Sequence, residues 1–361
     1  MRIGIDAREL CGRATGAGRY LAGLLMEWGS GDRARHHHFL LYTPDSITVR
    51  LDARRFPARP IPGRPGVWWE QVRLPRAAAG DELDLFFSPA YTAPLSLAVP
   101  TVVAIHDLSF VAHPEWFRTR EGLRRRWLTR RAAEKARAVV TISEFSRGEI
   151  VERLGVPEER VHVIPPGVDR RQSVEGAVPA TSRHRVLYVG SIFNRRHVPD
   201  LIRAFGKVAG AHPDASLDLV GDNRTHPYED VRRTIDAEGL NDRVRWHAYL
   251  ADGELRELYG RARAFAFLSE YEGLGLTPLE ALAAGVPPVL LDTPVARESC
   301  GDAALYVPVS DIGATARALE RALFDEEARA RILAAAPAAL AKYDWPRAAR
   351  DTLAVLEGVV E

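Results

Sequence analysis

Ser269-Glu270-Tyr271-Glu272-Gly273-Leu274-Gly275-Leu276-Thr277-Pro278-Leu279-Glu280-Ala281-Leu282-Ala283-Ala284-Gly285 is the stretch on which the reading of this chain turns. The apolar run Ala264 to Leu268 ahead of it has the pattern of a buried strand. Two glycines then make a turn, and an alanine- and leucine-rich helix follows that Gly285 closes. Pro278 is tolerated near the helix start because its missing N–H would have had no partner there. The amides of Gly273 to Thr277 are left pointing outward, and free amides at a helix N-terminus bind anions.

Two carboxylates bracket this amide-rich turn, Glu272 before it and Glu280 one turn inside the helix. An ionised carboxylate only accepts hydrogen bonds, so it makes sense beside an anion site if the ligand carries hydroxyls as well as phosphates. A sugar nucleotide has both. The plainer reading makes Glu272 a surface turn residue and Glu280 a residue favoured by the helix dipole. Their pairing around two glycines favours a site.

Glu272-Gly-Leu-Gly-Leu-Thr-Pro-Leu-Glu280 resembles the Glu-x7-Glu signature of retaining glycosyltransferases of family 4, the glycosyl transferases group 1. The resemblance implies an α/β chain of the GT-B fold: two Rossmann-like, doubly wound parallel-sheet domains facing a cleft. It also implies that Glu272 contacts the donor sugar near the reacting centre, that Glu280 holds the nucleotide ribose, and that the amides of Gly273, Leu274, Gly275 and Leu276 hold phosphate. The family's usual Pro directly after the Gly-Leu pair is displaced by one position, to Pro278.

At 361 residues the chain exceeds the size at which one core stops growing, so two domains are expected. The N-terminal, acceptor-side domain is placed at 1–168 with 345–361 returning to it, and the donor-side domain at 169–344. Forty-nine basic against 48 acidic residues leave a net charge of +1, which offers nucleic acid no global attraction. Cys11 and Cys300 are the only cysteines, and they suggest neither a disulfide framework nor a zinc site. Met1 to Asp6 begins as a strand with no apolar leader, and no run is long enough to span a membrane. These features fit a cytoplasmic protein, at most peripheral on the inner face of the membrane.

Arg2 to Asp6 reads as a buried parallel strand, and a glycine-rich loop containing Gly12, Gly16 and Gly18 runs on into a helix through Trp28. The Gly-x3-Gly-x-Gly spacing is not the dinucleotide fingerprint. By resemblance, Gly16 and Gly18 approach the donor phosphates. His36-His37-His38 lacks metal-ligand spacing and reads as a solvated approach to the strand Phe39 to Tyr42. Trp68-Trp69-Glu70-Gln71 opens a helical stretch ending at Pro75, its tryptophans packing anchors or, by resemblance, neighbours of the acceptor. The β-branched run Thr101 to Ile105 delivers His106 to its carboxyl end, where ligands of open α/β sheets bind. The resemblance puts His106 against the donor sugar.

Arg118 to Arg137 is a helix with nine basic and two acidic residues, and Leu123, Trp127 and Leu128 form its apolar stripe. It fits an element on an anionic membrane surface, or equally a solvated helix whose stripe packs on its own domain. The polar stretch Arg170 to Arg185 reads as the linker. Beyond it the architecture restarts: strand Val186 to Val189, then Gly190 and Ser191, then Arg195-Arg196-His197, where the family usually shows Arg-Lys-Asn. Guanidinium forks match diphosphate oxygens, so Arg195 and Arg196 are expected to neutralise the leaving nucleotide. Strands at Ser216 to Val220 and Val244 to Trp246 and helices at Tyr228 to Glu238 and Asp252 to Gly260 continue the alternation. Gly190, Ser191 and Tyr249 are counted with the donor-binding residues.

The function this implies is transfer of a hexose from GDP-mannose or a UDP-sugar, with retention, to a hydroxyl of a glycan or glycolipid, in bacterial cell-surface polysaccharide or glycolipid synthesis. The nucleotide sugar is substrate, and no cofactor is expected. No Asp-x-Asp or Glu-x-x-Asp pair stands in the loops named, so no metal is expected either. A GT-B epimerase, or a catalytically silent subunit that binds a nucleotide sugar, remains as an alternative.

Overall fold

The computed structural model describes residues 1–12, 15–169 and 184–360. The chain divides into two compact units, Met1–Gly167 with Tyr343–Glu361, and Val168–Lys342. Each is built on a fully parallel sheet flanked by helices. The expected linker falls mostly on 170–183, outside the described residues; Arg185, its expected end, is already the first residue of a strand.

In the N-terminal unit the strands are β1 (Arg2–Asp6), β2 (His38–Thr43), β3 (Ala58–Pro60), β4 (Leu85–Ser88), β5 (Thr101–Ala104), β6 (Ala138–Thr141) and β7 (Val161–Val163), in the order β3-β2-β1-β4-β5-β6-β7. Its central strands are covered on both faces, which is why Thr101–Ala104 and Ala138–Thr141 are apolar runs without alternation. The chain winds outward from β1 to β3 and then returns to β4, so the order reverses between β1 and β4. Such a switch point leaves a crevice beyond the carboxyl ends of the two strands.

In the C-terminal unit β8 (Arg185–Val189), β9 (Ser216–Val220), β10 (Val244–His247), β11 (Ala264–Phe267), β12 (Pro288–Leu291) and β13 (Leu305–Val307) lie in the order β10-β9-β8-β11-β12-β13. The reversal here is between β8 and β11. The loop 190–197 follows β8 and the loop 268–275 follows β11, so both glycine-containing loops flank one switch point.

Several expectations are corrected. His37 is buried rather than solvated, because its Nε2 meets Glu357 Oε1 at 2.9 Å, on the C-terminal helix Trp345–Gly358 that packs back on this unit. Trp28 Nε1 donates to Ala349 O of that helix at 2.9 Å. The helix at Trp68 does not stop at Pro75: a π-helical turn, Trp69–Arg73, runs into the α-helix Leu74–Ala78. Pro75 falls in the first turn of that α-helix, where its missing N–H is tolerated. Trp69 is a buried anchor as expected, whereas Trp68 is exposed. The helix expected from Tyr228 begins at Val231, where Asp230 caps it by accepting from Arg233 N. On the basic helix Thr119–Lys135, Leu128 is buried but Leu123 and Trp127 are exposed, so the three do not form one packed stripe.

Candidate active site

The helix Leu276–Ala283 has Gly275 as its N-cap, at a φ of +87° that glycine adopts without strain. Glycine brings no side chain to cap the first turn, so the helix presents uncapped amides at its start. Gly273 and Leu274 are buried in the turn ahead of it. Glu280, one turn in, accepts from Tyr259 OH at 3.1 Å through Oε2.

Glu272 is held from both sides. Its Oε1 accepts from Arg196 Nε at 2.7 Å and from Ser269 Oγ at 2.8 Å, and Arg196 Nη2 lies 2.7 Å from the same oxygen. Arg196 is seated in turn: Nη1 donates to Ser191 O at 2.9 Å, and the guanidinium lies 4.8 Å from the Phe267 ring centre and 5.4 Å from that of Phe193. Burial opposes the charge on Arg196, and the Glu272 carboxylate and Tyr188 together outweigh it, so the guanidinium pKa is raised. The two loops are stitched again next door, where Glu270 N donates to Arg195 O at 2.9 Å and His197 pairs with Glu270. Ser191 Oγ donates to Asp222 Oδ1 at 2.8 Å, which ties in the loop after β9. The structure thus gathers Gly190, Ser191, Arg195, Arg196, Glu272 to Leu276 and Glu280 at one switch point. Tyr249 follows the edge strand β10, two strands from β8, and its side chain is exposed.

In the N-terminal unit, His106 is buried at the carboxyl end of β5 between Tyr20 and Tyr91, ring centres 4.7 and 5.6 Å away. Burial lowers its pKa, so the imidazole is neutral. Its Nε2 stands 2.7 Å from Pro89 O, and a carbonyl can only accept; the proton is therefore on Nε2 and Nδ1 is an acceptor, suited to a ligand hydroxyl. Gly16 is exposed at the start of the helix Gly16–Ser30, whereas the Gly18 amide donates to Thr15 Oγ1 at 2.9 Å within the cap.

Sequence reading missed a buried charged group at the other switch point. Asp6, at the tip of β1, lies 2.6 Å from Arg8 Nη2; that guanidinium also bonds Glu70, to which Thr92 Oγ1 donates. Burial pushes Asp6 up to about 6, with Glu70 adding to the rise and Arg8 opposing it. The signal was a carboxylate ending an apolar strand with an arginine two residues on; its partner Glu70 is 62 positions away and shares no local pattern.

Two family descriptions match, Glycosyltransferase Family 4 over residues 14–172 and Glycosyl transferases group 1 over residues 169–338. This chain belongs to the family 4, group 1 glycosyltransferases. The alpha-D-kanosaminyltransferase of Streptomyces kanamyceticus is 29% identical over 346 residues, 85% of this transferase and 88% of that one. The O-antigen chain mannosyltransferase B of Escherichia coli is 24% identical over 262 residues, 70% and 68% of the two chains. Among solved structures, Anabaena Alr3699/HepE in complex with UDP and glucose superposes with a TM-score of 0.76 at 20% identity, covering 99% of each chain. That likeness shows that the two sheets of this enzyme are those of the GT-B fold.

Proposed function

We propose that this enzyme moves a hexose, with retention, from GDP-mannose or a UDP-sugar to a hydroxyl of a glycan or glycolipid, without a metal ion. The observation that carries the reading is the carboxylate of Glu272, fixed by Arg196 and Ser269 just ahead of the uncapped helix start at Gly275. In this reading the amides of 273–276 and the arginines of loop 190–197 hold the diphosphate. Glu280 takes the ribose hydroxyls, and the open oxygen of Glu272 takes a sugar hydroxyl. The bond from the anomeric carbon to phosphate oxygen breaks as the acceptor oxygen attacks on the same face, and the acceptor's proton leaves with the diphosphate. Positive charge against that diphosphate stabilises the leaving group where its charge develops. The relatives' mannosyl and kanosaminyl transfers and the UDP complex of the neighbour support a nucleotide-linked donor. Incubation with a panel of nucleotide sugars, reading nucleotide release with and without hydroxyl acceptors, tests it: release that acceptor accelerates is expected. Conversion of the donor to an epimer, or binding without release, would support the alternatives.

The acceptor, in the same proposal, is carried at an anionic membrane surface. Exposed Leu123 and Trp127 sit one turn apart on the basic helix with exposed Arg120 and Arg124 beside them. No helix among the described residues is long and apolar enough to cross a membrane. Arg125 is turned inward, 4.5 Å from the Tyr91 ring centre, and Arg126 Nη1 donates to Phe110 O, so the variants to sediment with anionic vesicles are Arg120, Arg124 and Trp127. Binding indifferent to anionic lipid would leave a soluble acceptor.

A further inference from the structure

The carboxyl ends of β1 and β4, at the switch point of the N-terminal unit, carry a group of polar side chains that the donor chemistry leaves unused. Asp6 ends β1, and the register in which Ile5 pairs with Phe87 sets Ser88 of β4 beside it on the same face of the sheet. Arg8 follows in the short turn Arg8–Leu10, and Glu70 comes from the π-helical turn Trp69–Arg73. Asp6 holds Arg8 twice, with Oδ1 accepting from its backbone N at 3.2 Å and Oδ2 lying 2.6 Å from Nη2. The same Nη2 bonds Glu70 Oε1, to which Thr92 Oγ1 also donates from the loop after β4.

One nitrogen of Arg8 thus serves two carboxylates. Nε and Nη1 have no hydrogen-bond partner among the described residues, and the side chain is 14% exposed against 3% for Asp6 and 2% for Glu70. The guanidinium is anchored by one nitrogen and offers donors from the others. Ser88 Oγ is fully buried and has no partner among the described residues either, so the hydrogen bonding of the group is incomplete where a purely structural cluster is closed. Charge decides what can complete it. Two carboxylates around one guanidinium leave an excess negative charge; burial is the largest cause of the raised Asp6 pKa, and Glu70 adds to it. A uronate or a phosphate at Arg8 would bring a third negative charge to one positive charge, where little water screens it. A sugar hydroxyl is neutral, and its lone pairs accept from the free guanidinium nitrogens.

We propose that Arg8 binds a hydroxyl of the acceptor sugar through its free nitrogens, and that Asp6 and Glu70 restrict this subsite to uncharged sugars. This rests on the functional reading above and adds the chemical class of the sugar that receives the hexose. Neutral hexosides fit, whereas uronates and sugar phosphates are refused at this position. A role in the fold alone predicts no such selectivity, because the ion pair would form whatever the acceptor.

The test uses the full chain and a donor from which it releases nucleotide, with methyl α-glycosides of mannose, glucose and galactose as acceptors beside the corresponding methyl uronosides. Acceptor-dependent release gives kcat and KM, calorimetry gives the Kd of UDP and of GDP, and a thermal scan confirms that each variant is folded. Wild type is expected to be accelerated by a neutral glycoside and to prefer it to its uronate by about tenfold or more in kcat/KM. Arg8→Lys keeps a positive charge for Asp6 and Glu70 but loses the spare nitrogens. Its KM for the neutral acceptor should rise about tenfold, the scale of one lost hydrogen bond from a charged donor, with the nucleotide Kd near its wild-type value. Glu70→Gln keeps the shape and an oxygen for Arg8 and Thr92 while removing the excess charge, so the preference over the uronate should shrink to about threefold or less. Wild type that uses the uronate as well as the neutral glycoside would overturn the proposal, as would donor release that no neutral glycoside accelerates. An unchanged acceptor KM in Arg8→Lys, or an unchanged preference in folded Glu70→Gln, would do the same; the first two comparisons stand even where Glu70→Gln does not fold. Wild-type protein that releases nucleotide from no donor would instead sink the functional reading itself, before any variant is made.

Discussion

Replacing Glu272 by Gln keeps the volume of the side chain and one oxygen able to accept from Arg196 and Ser269, while removing the charge. The amide nitrogen then stands where Oε2 offered an acceptor, so a sugar hydroxyl that donates there loses its partner. Loss of one fixed electrostatic contact at a reacting centre raises the barrier by roughly 2.7–4 kcal/mol, which is a fall in kcat of about 100- to 1,000-fold. Stability should suffer less. Removing a partner from a buried ion pair costs about 3–5 kcal/mol at worst, but this pair keeps some solvent contact and glutamine keeps the hydrogen bonds, so about 1–2 kcal/mol is expected. For a unit of this size that is a fall in Tm of a few degrees, on the order of 2–4 °C per kcal/mol. The assay is steady-state nucleotide release at saturating donor beside a thermal scan and calorimetric titration with UDP and GDP. A folded Glu272→Gln protein with kcat close to wild type would refute the reasoning.

Two further outcomes are expected. Asp6 is held above its ordinary value, at about 6, chiefly by burial, so the native state keeps its proton at a pH where the unfolded chain has lost it. Stability at this site is therefore greatest below pH 4 and falls as pH rises to about 6, by roughly 3 kcal/mol, opposite to the usual carboxylate; Asp6→Asn should flatten that part of a Tm-against-pH profile, and an unchanged slope would contradict it. Gly23→Ala should lower Tm, because a Cβ there would lie 2.5 Å from the ring of Trp345. Overpacking of this kind costs about 1–3 kcal/mol, and an unchanged Tm would mean that the C-terminal helix does not dock there.

Much of the frame was readable because parallel strands covered on both faces are unbroken apolar runs, and Thr101–Ala104 and Ala264–Phe267 need no partner to be recognised. Glu272, Gly275 and Glu280 were readable for a related reason: strand, turn and helix N-terminus are contiguous, so the site's chemistry is local. What stayed hidden is pairing at a distance. Arg196 and Glu272 are 76 positions apart, Arg8 and Glu70 are 62 apart, and His37 and Glu357 are 320 apart. A charge reads as solvated until its partner is known, which is why His37 was misplaced and the Asp6 group was passed over. The strand Ala58–Pro60 was missed because every residue of it is exposed, at the sheet edge, where no burial pattern marks it. On the basic helix, periodicity joined Leu123 and Trp127 to Leu128, but only packing decides which of them the core uses.

The central claim is that a sugar is transferred from a nucleotide with its anomeric configuration kept. Proton NMR of the anomeric signals during turnover, with the donor and acceptor that the panel identifies, tests it most directly. The first-formed product should carry the donor's own α or β configuration and appear in step with released nucleoside diphosphate. A first-formed product of the opposite configuration would contradict the account.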